Sequence, residues 1–209
     1  MNPYRLYLVT DDQLELDTLT KVVSEAVHGG VTMVQVREKH GDVRAFIERA
    51  QAIKKLLQGT GVPLIINDRV DVALAIDAEG VHLGQSDMPA TLARQLIGPD
   101  KLLGLSVETE QQLQEAQLLP VDYLGISAIF TTPTKTDLKK QWGIAGLRQA
   151  VAYSTLPLVA IGGINDTNLT DIVATGVDGI ALVAAICQAH CPRIAAQDLL
   201  LKIAESRTI

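Results

Sequence analysis

The feature that most constrains this chain is a regular alternation of short apolar runs with amphipathic segments, which repeats eight times in 209 residues. Apolar runs of strand length between turn residues indicate buried strands, and apolar stripes at helical spacing indicate helices packed on them. The predicted strands cover residues 5–10, 33–38, 63–68, 80–84, 102–107, 122–130, 157–161 and 179–185. The predicted helices cover residues 17–28, 42–58, 70–76, 89–97, 108–118, 144–152, 168–175 and 192–206.

This alternation implies right-handed crossovers and a parallel sheet. Eight strand–helix units predict an α/β fold, a closed (β/α)8 TIM barrel, formed as a single domain over residues 1–209. The alternative is an open doubly wound sheet, which usually carries a Gly-x-Gly-x-x-Gly turn after its first strand. Residues 10–13 read Thr-Asp-Asp-Gln and offer no glycine there, so the barrel is favoured.

Composition and charge narrow the class of partner. Hydrophobic residues make up 47% of the chain and aromatic residues 3%, which predicts a core of aliphatic side chains around buried parallel strands. The net charge of -6 argues against a nucleic-acid partner held by bulk electrostatics, so an anionic small-molecule ligand would need a local cationic pocket.

Location and cysteine chemistry follow from what the sequence lacks. No apolar run approaches the roughly 18 to 20 residues of a membrane helix, and the N-terminus does not read as a signal peptide. We therefore expect a cytoplasmic protein without a membrane partner, and a homo-oligomer is compatible with the sequence.

Cys187 and Cys191 have no partners at zinc-site spacing, so we expect free cysteines buried as apolar residues.

Polar residues gather at the predicted C-terminal ends of the strands, where barrel enzymes carry their chemistry. After the second strand, Gln35, Arg37 and Lys39 alternate and therefore point to one side. Two cations directed into a barrel mouth would be costly to desolvate unless they met an anion, which predicts an anion site. Alternatively, they pair with Glu38 or another carboxylate.

Two carboxylates follow adjacent predicted strands. Asn67 and Asp68 end the third strand, and Asp87 follows the fourth. Carboxylates with amide neighbours suit Mg2+, which keeps several waters and takes further ligands from substrate phosphates. Each aspartate also precedes a helical segment, so the alternative for each is a helix N-cap.

A third group of polar residues follows the sixth strand, in residues 126–137. The hydroxyls of Thr132 and Thr134 and the charge of Lys135 predict an anion-binding loop, whereas the alternative is a solvated turn. Small residues lie at the ends of the last two strands, since Gly162 follows the seventh and Ala184 ends the eighth. They leave backbone N–H groups free for a phosphate, although paired glycines also make tight turns.

The sequence offers no nucleophile–base pairing. Ser106 ends the fifth strand, but Ser106 and His82 have no evident third partner, and no lysine lies in a plainly apolar strand. The residues therefore indicate transfer of a group activated by a phosphate or diphosphate, assisted by metal and positive charge.

Taken together, the strand-end segments resemble the thiamine-phosphate synthase family over the whole chain. The matching segments are residues 35–39, 66–68, 81–85 with Asp87, 104–106, 132–135, 161–164 and 176–180. The resemblance implies a TIM-barrel transferase that joins a hydroxymethylpyrimidine diphosphate to a thiazole phosphate and releases pyrophosphate with the help of Mg2+. It also implies a dissociative mechanism, in which pyrophosphate leaves before the thiazole nitrogen captures a pyrimidine methyl cation.

Carried over by position, the resemblance implies a role for each strand-end residue. It assigns the diphosphate to Arg37, Lys39, Asn67 and Lys135, the metal to Asp68 and Asp87, and the pyrimidine to Gln35 and Ser106. It assigns the thiazole phosphate to Thr132, Thr134 and Gly162, with Ala184 beside them. Among these, Arg37, Lys39, Lys135 and Ser106 would be catalytic.

Three positions depart from the family pattern. The family usually has proline or histidine at Ala128 and proline at Thr131, which predicts a more loosely held start to the loop, and often has serine near Ala184. Two other functions stay open. One is a thiazole tautomerase of the same superfamily, which needs neither a diphosphate site nor Mg2+, and the other is a metabolite-binding regulatory barrel without turnover.

Overall fold

The computed structural model describes residues 2–131 and 141–207. In this part of the chain, eight parallel strands close into a barrel in sequence order, with β1 beside β8, which confirms the predicted TIM barrel. The strands are β1 (Leu6–Val9), β2 (Met33–Val36), β3 (Leu64–Asn67), β4 (Gly80–Leu83), β5 (Leu102–Val107), β6 (Tyr123–Ser127), β7 (Leu158–Ile161) and β8 (Gly179–Leu182).

Helices follow the strands and surround the barrel. Within the described residues they are α1 (Leu16–His28), α2 (Val43–Leu57), α3 (Val70–Ala75), α4 (Ala90–Ile97), α5 (Glu110–Ala116), α6 (Gly143–Tyr153), α7 (Leu169–Val173), α8 (Ala184–Cys187) and α9 (Pro192–Ser206). No helix of the described part is long and apolar enough to cross a membrane.

The strands are buried on both faces because successive side chains point to opposite sides of the barrel wall. In β1, Leu6 and Leu8 pack outward in the large core beneath the helices, whereas Tyr7 and Val9 point into the barrel. The inner core also contains Met33 and other residues of five strands. The sequence therefore builds one aliphatic shell outside the barrel and a smaller interior core with tyrosines in it.

Six strands end earlier than predicted, and the difference is largest, at three residues each, for β6 and β8. β6 ends at Ser127 and not at residue 130, although the N–H groups of Ile129 and Phe130 still bond to the carbonyls of Ile161 and Gly162, both at 3.1 Å. β8 ends at Leu182, so the prediction that Ala184 ends this strand is wrong, because Ala184 begins α8. Residues 180–186 form one apolar run, and periodicity cannot separate strand from helix in so short a run.

The two cysteines lie after the last strand, in and after α8. Cys187 is buried in α8 and Cys191 is half-buried before α9, and both are free cysteines. The expected free state is confirmed for both residues, and full burial only for Cys187.

Candidate active site

A cavity of about 780 Å³ opens at the C-terminal ends of the strands, and its size suits an organic ligand. Nine residues predicted from the sequence line it: Gln35, Arg37, Lys39, Asn67, Asp68, Asp87, Ser106, Gly162 and Ala184. The predicted loop residues Thr132, Thr134 and Lys135 lie outside the described residues. The closed barrel thus brings together strand ends that are far apart in sequence.

Two carboxylates lie side by side where the paired strands β3 and β4 end. Burial and a hydrogen bond with Asp68 raise the pKa of Asp87. Asp87 is held from its other side, since its Oδ2 accepts the Gly84 N–H at 2.6 Å. Asp68 has a φ of 63°, a left-handed conformation that aspartate tolerates better than most residues, and its N–H donates to the His82 carbonyl at 2.8 Å.

Neither aspartate caps a helix. The N-cap residue of α3 is Arg69 and that of α4 is Pro89, and neither forms a side-chain cap hydrogen bond. The N-cap alternative is therefore wrong for Asp68 and Asp87, and both carboxyls face the cavity.

The two cations on the β2 side contact carboxylates other than Glu38. Lys39 Nζ bonds to Asp68, and Arg37 lies 4.0 Å from an Asp12 oxygen that also accepts the Lys39 N–H at 3.2 Å. The alternative that carboxylates neutralise these cations is thus correct in part. Both side chains still line the cavity, where a more highly charged anion can join them.

Glu38 belongs to a different ion pair. Its carboxylate lies 2.8 Å from Arg49, whose guanidinium also donates to the Leu14 carbonyl at 2.8 Å. Burial nevertheless raises the pKa of Glu38, even though Arg49 acts in the opposite direction. The proposed pairing of Glu38 with Arg37 or Lys39 is wrong.

The acidic pair has the donor chemistry that Mg2+ requires. Asp68 and Asp87 offer hard carboxylate oxygens, and a divalent cation between them would offset the proximity that raises the pKa of Asp87. Within residues 2–131 and 141–207, no group of three or more His, Cys, Asp or Glu residues could hold a metal. A Mg2+ ion at this pair would therefore take its remaining ligands from water and substrate.

A line of hydrogen bonds crosses the barrel interior between two predicted pyrimidine contacts, Gln35 and Ser106. Gln35 Nε2 donates to the Tyr7 hydroxyl at 2.7 Å, which lies 2.9 Å from the Tyr123 hydroxyl. His82 joins the far end, with Nδ1 3.0 Å from the Tyr123 hydroxyl and Nε2 2.9 Å from Ser106 Oγ. The expectation that Ser106 and His82 lack a third partner is wrong, because the closed barrel places Tyr123 beside them.

The β7–β8 side of the cavity is built from small residues. Gly162 has a φ of 99°, and a Cβ added there would lie 2.5 Å from the Ala128 Cβ. Gly163 has a φ of 66°, and a Cβ there would lie 2.6 Å from the Thr131 carbonyl oxygen. The glycine pair therefore makes the tight turn and also opens its backbone to the cavity, and Ala184 lies exposed beside it.

The residues before and after segment 132–140 are held firmly. Ala128 is fully buried and its carbonyl accepts the Trp142 N–H at 3.0 Å. The Thr131 hydroxyl accepts a hydrogen bond from the Gln141 side chain at 2.7 Å, which joins the two flanks. These contacts fix both flanks, and a start looser than that of other family members stays a prediction.

With this geometry established, comparison with known proteins identifies the chain's relatives. The model of one family, described as thiamine monophosphate synthase, matches residues 6–186. The chain belongs to the thiamine monophosphate synthase family.

Individual members of the thiamine monophosphate synthase family align with nearly the whole chain. The chain is 72% identical over 200 residues to thiamine-phosphate synthase of Vibrio parahaemolyticus, covering 96% of this chain and 98% of that protein. It is 54% identical over 193 residues to the enzyme of the same name from Albidiferax ferrireducens, covering 92% of this chain and 88% of that protein.

A solved structure of thiamine phosphate pyrophosphorylase from Pyrococcus furiosus superposes with a TM-score of 0.88 at 37% identity, covering 98% of both chains. A 3-hexulose-6-phosphate synthase from Salmonella typhimurium has a TM-score of 0.73 at 16% identity and covers 96% of this chain and 99% of its own. The second likeness shows a shared fold.

For this member of the thiamine monophosphate synthase family, sequence reasoning missed several residues of the cavity region, and three of them matter for the site. Tyr7 and Tyr123 line the cavity, and Asp12 holds the start of the β2–α2 loop through the Lys39 N–H. The signal for Tyr7 was available, because alternation in β1 directs it inward with Val9. The interaction of Asp12 with Lys39 joins two loops and had no local signal.

Proposed function

We propose that this chain joins a hydroxymethylpyrimidine diphosphate to a thiazole phosphate, forming thiamine phosphate and releasing pyrophosphate. The observation that carries the proposal is the charged cluster of Arg37, Lys39, Asp68 and Asp87 on one side of the cavity. A thiazole tautomerase needs neither a diphosphate site nor a metal pair, so this cluster favours the synthase.

In this proposal the diphosphate lies on the β2–β4 side. Arg37 and Lys39 bind its oxygens, Asn67 donates from the end of β3, and Lys135 contributes a further positive charge. Asp68 and Asp87 hold Mg2+, which when bound supplies positive charge to the departing pyrophosphate. Fixed cations stabilise a leaving group best because they need no reorganisation as its charge develops.

The pyrimidine ring fits the centre of the cavity, between Gln35 and Ser106, which lie at the two ends of the interior hydrogen-bond line. The thiazole phosphate lies opposite the diphosphate, held by backbone N–H groups at Gly162 and Ala184 and by hydroxyls of Thr132 and Thr134. The proposed reaction requires the thiazole nitrogen to face the pyrimidine methylene carbon.

The proposed reaction is dissociative. The bond from the methylene carbon to the diphosphate oxygen breaks first, the electron pair leaves with pyrophosphate, and the thiazole nitrogen then captures the pyrimidine methyl cation. The protein has no need to supply a nucleophile. Its residues orient both substrates, hold the leaving group and exclude water that would otherwise capture the cation.

A single assay separates the candidate functions. The purified protein is mixed with both phosphorylated substrates and Mg2+, and thiamine phosphate and pyrophosphate are quantified together. We expect equal amounts of the two products and no turnover after chelation of Mg2+. Binding of both ligands without product would support a regulatory barrel. In a parallel reaction with a thiazole carboxylate phosphate alone, isomerisation of that compound would support a tautomerase.

The proposal includes the setting of the enzyme. We propose that it acts in the cytoplasm on small-molecule substrates, without a nucleic-acid or membrane partner, and that it can form a homo-oligomer. Cell fractionation tests the location, and light scattering of the purified protein tests the oligomer.

A further inference from the structure

The hydrogen-bond line inside the barrel has a direction, and Gln35 sets it. Gln35 presents its side-chain nitrogen Nε2 to the Tyr7 hydroxyl at 2.7 Å. An amide nitrogen donates and does not accept, so the Tyr7 oxygen is the acceptor and the Tyr7 proton must point elsewhere. The Tyr123 hydroxyl lies 2.9 Å away on the other side. Tyr7 therefore donates to Tyr123.

The same reasoning continues to the histidine. Because Tyr7 directs its proton at the Tyr123 oxygen, Tyr123 directs its own proton at His82 Nδ1, 3.0 Å away. A ring nitrogen that accepts a hydrogen bond carries no proton, so neutral His82 carries its proton on Nε2. That N–H faces Ser106 Oγ at 2.9 Å, and Ser106 therefore accepts from His82.

Burial keeps this line in one protonation state. Tyr7 and Tyr123 are almost completely buried, and burial raises the pKa of both phenols above their usual range. Both hydroxyls therefore keep their protons at neutral pH, so each can donate one hydrogen bond along the line.

We propose that Tyr7, Tyr123 and His82 are positioning residues that turn the Ser106 hydroxyl into a hydrogen-bond donor to the bound pyrimidine diphosphate. His82 occupies one lone pair of Ser106 Oγ, so the serine proton points into the cavity that Ser106 lines. This inference rests on the proposed function, because it assigns Ser106 a task in that reaction.

The opposite direction would give a different chemistry. If His82 carried its proton on Nδ1, its Nε2 would have a free lone pair facing Ser106 and could remove the serine proton, as in nucleophilic catalysis. The distances between His82 and Ser106 suit both arrangements. The tautomer of one imidazole therefore decides whether Ser106 is a donor to the substrate or an activated nucleophile.

Nitrogen-15 NMR of the ligand-free protein tests the tautomer directly. His28, His40 and His190 are exposed, so the variant His28→Gln/His40→Gln/His190→Gln leaves His82 as the sole imidazole of an untagged chain that has 4 histidines. We expect a neutral ring protonated at Nε2. A ring protonated at Nδ1, or at both nitrogens, at neutral pH would overturn the inference.

This experiment separates the inference from the proposed function, because it needs no turnover. We call the directed hydrogen bonds from Gln35 through Tyr7, Tyr123 and His82 to Ser106 the relay. A His82 tautomer other than the expected one, in a protein that forms thiamine phosphate, would refute the relay and leave the proposed function in place. The expected tautomer in a protein without turnover would refute the synthase activity and leave the hydrogen-bond direction in place.

Kinetics provide a second test through Tyr123→Phe, which removes the donor to His82. We expect kcat to fall about tenfold with KM changed less than about twofold, because the lost orientation matters most as charge develops. In a Ser106→Ala background the same change should have little further effect. An equal loss in both backgrounds would show that Tyr123 acts by packing and would overturn the relay.

Two further tyrosine variants complete the design. Tyr4→Phe is the matched control, because the Tyr4 ring centroid lies 4.9 Å from that of Tyr123 while its hydroxyl lies outside the relay, and we expect kcat to be unchanged. A loss of kcat equal to that of Tyr123→Phe would overturn the inference.

If Tyr123→Phe does not fold, Tyr7→Phe replaces it. For this variant we expect a smaller fall in kcat and a mixture of the two His82 tautomers. A single unchanged tautomer in that variant would contradict the relay.

Discussion

The two sides of the cavity mouth differ in how they can hold an anion. The β2–β4 side is built from charged side chains, with Lys39 bonded to Asp68 and Asp87 beside them. The β7–β8 side is built from backbone, with Gly162 and Ala184 lining the cavity. The proposed reaction would use this difference, because charged side chains on the β2–β4 side would meet the charge that develops on a leaving group. Backbone dipoles on the β7–β8 side would hold a phosphate whose charge does not change.

The two sides also differ in their cost to the fold. Burial and the neighbouring Asp68 raise the pKa of Asp87, which means that the ionised carboxylate is disfavoured there without a cation. On the other side, the requirement is conformational, since Gly162 adopts a φ of 99° that other residues rarely adopt. Substitutions on the two sides should therefore have different signatures.

The largest effect is expected for Asp87→Asn. Loss of one carboxylate from the metal pair should lower kcat/KM by roughly 100-fold or more, in line with the loss of a preorganised electrostatic contact. The metal-free variant should unfold at the same temperature or higher, because a disfavoured charge is removed. Steady-state kinetics and thermal unfolding measure the two effects.

The matched control is Asp71→Asn, because the Asp71 carboxylate is exposed and paired with Arg69. Its activity should equal that of the wild type. If Asp87→Asn retained activity within about threefold of the wild type at saturating Mg2+, the assignment of Asp68 and Asp87 as Mg2+ ligands would be wrong.

The second prediction concerns pH. In the proposed reaction Asp87 would bind Mg2+ in its ionised form, so the Mg2+ affinity should fall by up to about tenfold per pH unit below its raised pKa. Its contribution to the stability of the metal-free protein has the opposite sign. That contribution is present below the unfolded pKa and is lost as pH rises through the raised folded pKa.

Calorimetric Mg2+ titrations and metal-free unfolding at several pH values measure both trends. Mg2+ affinity that fell only in the range of an ordinary aspartate would contradict the raised pKa of Asp87. Because the β7–β8 side would hold its phosphate through backbone groups, we expect no corresponding change in thiazole phosphate affinity over the same pH range.

Gly162→Ala should weaken phosphate binding on the β7–β8 side without changing the β2–β4 side. The added Cβ would lie 2.5 Å from the Ala128 Cβ, so the turn must move. We expect KM for the thiazole phosphate to rise about tenfold, equivalent to about 1.4 kcal/mol, with the Mg2+ dependence unchanged. Gly176→Ala is the control, because Gly176 also has a positive φ of 87° but lies outside the cavity lining.

Both glycine variants should lose stability, and only Gly162→Ala should change KM. Equal KM values of the two variants for the thiazole phosphate would show that the β7–β8 side does not bind this phosphate.

The smallest effect is expected for Ala184→Ser, which adds a hydroxyl to the cavity lining. One added hydrogen bond of about 0.5–1.5 kcal/mol should lower KM for the thiazole phosphate by roughly 2- to 10-fold. KM for the pyrimidine diphosphate should stay constant. A change in the pyrimidine KM alone would place Ala184 on the wrong side of the mouth.

Much of the fold could be predicted because its signals are local. The period-two and helical patterns of the chain, with glycines at the joins, predict every strand and its order around the barrel. The ends of β6 and β8 could not be predicted in the same way. Ala184 and its neighbours are as apolar as the strand before them, and only packing against the closed barrel turns them into α8.

The candidate site was predictable where topology alone decides proximity. Asp68 and Asp87 follow neighbouring parallel strands, so their meeting follows from the fold. The contact between Tyr7 and Tyr123 differs, because β1 and β6 are not neighbours and their side chains meet only across the barrel interior. Such a contact depends on side-chain length and strand tilt, which no local pattern records.

In the proposed synthase, the two anionic substrates occupy opposite sides of the cavity mouth. Phosphorus-31 NMR with Mn2+ replacing Mg2+ tests it directly, because paramagnetic broadening falls steeply with distance from the metal. With each substrate bound separately, we expect strong broadening of both pyrimidine diphosphate signals and much weaker broadening of the thiazole phosphate signal, with both effects lost in Asp87→Asn. Equal broadening of the two substrates, or stronger broadening of the thiazole phosphate, would contradict the claim.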